Sequence, residues 1–148
     1  MEVIETHGAY VFLCRNTALK LKRAVRYDYM DLSTVGKRHA MLKRELELNR
    51  PVAPEIYRDV LPVTREPDGG LALGGKGDPV DWVLRMHRFP AGDELVAIAQ
   101  RGELDGRLAW NIGIALAGYH AAAPERRQPG AQLIAAILEE LGRVFAEN

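Results

Sequence analysis

The sequence predicts an α+β chain: an antiparallel sheet of about five strands with one helix packed on it, followed by three helices. Three observations point there. The first 25 residues hold strand candidates separated by a polar turn, apolar residues recur at helical spacing up to Asn49, and from Asp93 onward the pattern is helical. Sheet comes first and helix afterwards.

The opening strands are Glu2 to Glu5, Tyr10 to Cys14 and Thr17 to Val25, with Arg15-Asn16 as a polar turn of hairpin length between the last two. Along Thr17 to Val25 the alternation is strict: Ala18, Lys20 and Lys22 share one face, and Leu19, Leu21 and Arg23 the other. Ser33 and Thr34 can cap the helix that follows, whose apolar positions are Val35, His39, Leu42 and Leu46. Pro51 and Pro54 forbid its continuation. Glu55 to Thr64 and Val80 to Phe89 read as strands, with a turn at Pro67-Asp68-Gly69-Gly70. Helices are expected at Glu94 to Arg101, Asp105 to Ala123 and Ala131 to Ala146. The last carries Leu133, Ile134, Ile137, Leu138, Leu141 and Val144 on one broad face, which calls for a packed partner.

Composition excludes several function classes. Twenty basic and 20 acidic residues cancel among 148, so overall charge implies neither a nucleic-acid surface nor a membrane-attracted face. No apolar run approaches the ~18 residues of a membrane span, and Glu2 and Glu5 stand where a signal peptide needs Lys or Arg, so a cytoplasmic protein is expected. The single cysteine, Cys14, rules out an internal disulfide or a multi-cysteine zinc site and reads as a buried, inert thiol. The chain length is that of one compact domain.

Familiar catalytic signatures fail one by one. Gly70-Leu71-Ala72-Leu73-Gly74-Gly75-Lys76 approaches a phosphate-binding P-loop, but Gly77 replaces the required Ser or Thr and Pro79 excludes the following helix, leaving a flexible glycine loop. His7, His39, His87 and His120 are dispersed with no metal-ligand spacing. The only serine, Ser33, sits at a helix start rather than in a nucleophile elbow. No catalytic residue and no metal ligand is assigned.

One ordered set remains: a hairpin, a strand bearing Ala18-Leu19-Lys20, an acid-bearing helix, two strands, then helices. In a kinase small lobe, strand alternation places a small residue over the nucleotide and a lysine two positions on against its phosphates, held by a helix glutamate. Ala18 and Lys20 satisfy that parity, and Glu45 borders the buried helix face.

Ile4-Glu5-Thr6-His7, Leu19-Lys20-Leu21-Lys22, Glu45-Leu46-Glu47-Leu48-Asn49-Arg50, Ala53-Pro54-Glu55-Ile56-Tyr57 and Arg85-Met86-His87-Arg88-Phe89-Pro90 give the chain a named likeness. From residue 4 to about residue 124 it resembles the aminoglycoside phosphotransferase-like domain of bacterial bifunctional phosphotransferase/ATP-binding proteins. The resemblance implies a kinase-like small lobe over 1–90 and the helical start of a large lobe over 91–148. It also implies ATP and magnesium as cofactors, with Lys20 resembling the phosphate-binding lysine and Glu45 its partner. Lys22, on the same face, is Lys20's rival. Met86 would stand behind the adenine, and the backbone of His87, Arg88 and Phe89 would supply hinge hydrogen bonds.

Two departures qualify the likeness. The family's Thr-His-x-Ser-Trp loop is here Thr6-His7-Gly8-Ala9-Tyr10, so a hydroxyl contact to phosphate is lost at Ala9. The family's catalytic loop, with its His-Gly-Asp, and its later metal-binding Asp have no counterpart: no His-x-Asp occurs in the 148 residues. The expectation is therefore the ATP-binding front part of a phosphotransferase, not catalytic alone, and self-associating through its last helices. A non-catalytic interaction module on the same scaffold is the alternative.

Overall fold

The computed structural model of the chain describes residues 1–125 and 129–147. The chain divides into two compact units, Met1–Asp105 and Gly106–Asn148.

The first unit is built on six antiparallel strands: β1 (Glu2–Glu5), β2 (Ala9–Cys14), β3 (Thr17–Lys22), β6 (Tyr57–Arg65), β7 (Leu71–Leu73) and β8 (Asp78–His87). They lie in the order β1-β2-β3-β8-β6-β7 in a curled sheet. Arg15, with φ of 46°, turns the β2–β3 hairpin at the expected Arg15-Asn16 step. β8 is central, and Val83 and Leu84, on its opposite faces, are both buried, Leu84 completely. Half-buried Cys14, at the end of β2 beside the hairpin turn, is less enclosed than its apolar neighbours suggest.

Two features depart from the sequence expectation. The stretch read as a flexible glycine loop contains β7, which pairs Leu71, Ala72 and Leu73 with Arg65, Thr64 and Val63 and so supplies the sixth strand. A separate ribbon of β4 (Arg26–Tyr27) and β5 (Met30–Asp31) also forms, because β3 ends at Lys22 and not at Val25. There the Arg23 N–H bonds the Gly8 carbonyl at 3.0 Å and turns the chain away. Strands of two residues are too short for a periodic pattern to reveal.

Helix α1 (Val35–Asn49) begins at Thr34, whose hydroxyl accepts from the Lys37 N–H at 3.3 Å. Such a cap contributes about 1 kcal/mol. The helix packs on β8 and β6, burying Leu42 completely. Its inward stripe is Arg38, Leu42 and Glu45, so the buried face is turned from the predicted Val35, His39, Leu42 and Leu46 line toward Arg38. Burying a guanidinium is tolerable because Asp81 meets it through Nε at 3.1 Å and Nη2 at 2.8 Å, while the Leu32 carbonyl accepts from Nη1 at 3.0 Å. Beside this clamp, His39 stacks on Trp82 with ring centroids 3.6 Å apart. After β8 come a 3-10 turn at Ala91–Asp93 and the short α2 (Leu95–Gln100).

The second unit holds α3 (Gly106–Ala122) and α4 (Gly130–Glu147). The connection between them includes 126–128, which lie outside the described residues. No described side chain of either helix is buried; Leu108, Ile112 and Glu140 are half-buried and the rest exposed. The apolar face of α4, including Ile137, Leu138 and Leu141, is open. No helix is long and apolar enough to cross a membrane among the described residues.

Candidate functional site

Strand register assembles a groove from residues far apart in sequence. Leu13 faces Ala18 and Val11 faces Lys20 across the β2–β3 ladder, Ile4 faces Val11 from β1, and Met86 faces Ala18 from β8. Directly opposed residues share a sheet face. Ile4, Val11, Leu13, Ala18 and Met86 therefore form a single apolar wall. Ile56 and Phe89 extend it, and the groove so formed encloses about 250 Å³. Ala18, only 6% exposed, keeps its floor open, because a larger side chain there would fill the space between Leu13 and Met86. That volume is below the ~300–1,000 Å³ of a drug-sized site, which suits a flat ring system with the remainder of a ligand lying outside.

Charged groups ring the mouth. Glu2, Arg88 and Glu94 all line it, and Arg88 Nη2 meets Glu2 Oε2 at 3.2 Å, tying the first strand to the segment after β8. Of the expected hinge donors, His87 and Arg88 are already engaged: the His87 N–H bonds the Ile56 carbonyl at 2.8 Å and the Arg88 N–H bonds the Asn16 carbonyl at 2.9 Å. The hinge expectation for the three residues therefore narrows, on the donor side, to the Phe89 N–H. The two bonds extend the β6–β8 and β3–β8 ladders past the end of β8, which is why strand pairing takes precedence over a ligand at these two positions.

Two residues beyond Ala18, about 7 Å along β3, stands Lys20. Its Nζ meets Glu45 Oε1 at 2.6 Å, and Lys22 Nζ meets Oε2 of the same carboxylate at 2.9 Å. The sequence posed these lysines as rivals; the structure gives each one oxygen. Burial is the largest single influence on Glu45 and acts upward, yet the two lysine hydrogen bonds and charges together outweigh it and hold the carboxyl below its ordinary range. The trio keeps one net positive charge. Tyr57, opposite Met86 in the β6–β8 ladder, has its hydroxyl pushed up by burial and then by the Glu45 charge, so it stays protonated.

Neither Tyr57 nor the Arg88–Glu2 pair was singled out by sequence reasoning. A cross-strand partner of Met86 could be found only once the β6–β8 register was known. The Thr6 to Ala9 turn between β1 and β2 is closed by its own atoms: the Thr6 hydroxyl donates to the Ala9 carbonyl at 3.0 Å and accepts from the Ala9 N–H at 3.1 Å. The ribbon braces it, with Tyr27 Oη bonding the His7 carbonyl at 3.2 Å.

The glycine tract lies elsewhere and serves its own chain. Glu66 Oε1 accepts from the Thr64 hydroxyl at 2.5 Å and from the Gly77 N–H at 3.1 Å, which together hold its carboxyl below the usual range. A Cβ at Gly75 would collide with the Glu66 and Thr64 side chains, and one at Gly77 with the Arg65 carbonyl. These glycines permit close approach of protein to protein, which leaves no phosphate cradle.

Among the described residues, no three His, Cys, Asp or Glu side chains gather where they could hold a metal ion. The groove offers apolar walls and a charged rim, and the Lys20–Glu45–Lys22 cluster lies outside its lining, farther along the same face of β3.

Proteins of Mycobacterium bovis and of two strains of Mycobacterium tuberculosis, all described as uncharacterized, are 31% identical to this chain over 128 residues. The match covers 86% of this chain and 24% of each relative, so the chain spans about a quarter of the length of the curated relatives it matches. No protein-family model and no solved structure matches the chain.

Proposed function

We propose that the first unit is a kinase-like small lobe that binds ATP, with the adenine in the apolar groove and the phosphates against Lys20. One observation carries this reading: the groove floor at Ala18 and the Lys20–Glu45 ion pair lie on the same face of β3, two residues apart. A ring lying over Ala18 and Met86 could direct the rest of the molecule along β3 toward the surplus positive charge. Met86 backs the groove, and the Phe89 N–H is the hinge donor. Lys20 and Glu45 contribute electrostatic positioning, the main means of assistance in phosphoryl transfer.

Nucleotide binding, and not phosphoryl transfer, is what the reading assigns to these 148 residues, since no His-x-Asp occurs in them. The described residues hold no cluster of three His, Cys, Asp or Glu side chains that could bind a metal ion. Calorimetric titration of ATP into the chain tests the reading. Binding is expected in the wild type, lost when Ala18→Trp fills the groove, and weakened when Lys20→Ala removes the cation. Equal binding by wild type and Ala18→Trp would overturn it.

A second reading, an interaction module on the same scaffold, draws support from the open apolar sides of α3 and α4. Its simplest partner is a second copy of the chain.

A further inference from the structure

Glu45 carries two ammonium groups where one would neutralise it, and the two differ in setting. The Lys22 side chain is 12% exposed and that of Lys20 27%. Lys22 is also one strand repeat farther from the groove, opposite buried Ala9 at the start of β2. An ammonium so enclosed has little freedom to follow a ligand, whereas that of Lys20 is the more exposed of the two and stands only two residues from the groove floor at Ala18.

We propose that Lys22 is a positioning residue that holds Oε2 of Glu45 and so reserves Lys20 for an anionic ligand. The inference rests on the nucleotide reading and deepens it by naming the residue that sets the preference for a phosphorylated ligand over its nucleoside. Without Lys22, both oxygens of Glu45 are free to take Lys20. The trio then loses its net charge, and an incoming phosphate must compete with Glu45 for a single cation. With Lys22 in place, half of the carboxylate is already satisfied and one positive charge is left over.

The test compares ATP and adenosine titrated calorimetrically into wild type, Lys22→Met, Lys22→Gln, Lys22→Arg and Lys20→Met forms of the chain. In parallel, carbon-detected NMR follows the Glu45 carboxyl as pH is varied without ligand. Lys22→Met and Lys22→Gln are expected to lower the ratio of ATP to adenosine affinity about ten-fold, the worth of one charge-assisted contact. Lys22→Arg should restore that ratio, and the Glu45 carboxyl should titrate higher in Lys22→Met than in wild type. A wild-type ratio in both uncharged variants, or no recovery in Lys22→Arg, overturns the proposal, as does an unmoved Glu45 titration. Wild type that binds neither ATP nor adenosine brings down the nucleotide reading itself.

Discussion

Ala18 lies directly across the β3–β8 ladder from Met86, and this one pairing fixes where the groove ends and where Lys20 begins. The consequences of that arrangement, and of the contacts that hold α1 against the sheet, are open to measurement.

Glu45 should make the first unit acid-sensitive. Its folded carboxyl titrates below the ordinary value despite the opposing effect of burial, because Lys20 and Lys22 both favour the charged form. A depressed folded value means that the stabilisation is fully present above the unfolded value and is lost as pH falls through the folded one. Glu45→Gln should therefore flatten the fall in stability between about pH 5 and pH 3. Denaturant unfolding across that range measures it, and a slope unchanged by the substitution would contradict the pairing.

Arg38→Ala should cost more stability than any exposed substitution on α1. It leaves Asp81 half-buried beside an empty guanidinium site and strips the Leu32 carbonyl of its donor. Because Asp81 is partly exposed and still accepts from the Trp82 N–H, the expected cost is about 2–3 kcal/mol, below that of breaking a fully buried pair. Arg38→Met combined with Asp81→Leu should recover a good part of that loss. Chemical unfolding of the single and double variants gives the comparison.

These two contacts also show what could be read from sequence. Lys20 and Glu45 were legible because strand parity and helix phase each make a definite geometric statement, and both statements aimed at one cleft. Arg38 was not, since helical periodicity counts apolar positions and an arginine on the inward face becomes intelligible only when Asp81, 43 residues later, is seen beside it. β7 was hidden for a related reason: glycines signal a turn, while the pairing of Leu71–Leu73 with β6 is a long-range choice. The engaged N–H groups of His87 and Arg88 depend likewise on partners from Ile56 and Asn16 that no local pattern announces.

Self-association is expected through α4. Ile137, Leu138 and Leu141 are each about half exposed, at 55%, 62% and 46%. Fully burying such a side chain is worth roughly 1.5–3 kcal/mol, so pairing with a second copy is favourable. Sedimentation at micromolar concentration should show a dimer in wild type and a monomer in Leu138→Glu/Leu141→Glu. A clean wild-type monomer of 16.5 kDa would contradict it.

The most direct test of nucleotide binding in the groove is an amide NMR titration of the chain with ATP. Resonances of Ile4, Ala18, Met86 and Phe89 should shift together and saturably. The Phe89 N–H should move downfield as it gains an acceptor, while Gly74, Gly75 and Gly77 around Glu66 stay still. Saturable shifts confined to the glycine tract, or none at Ala18 and Phe89, would contradict the assignment.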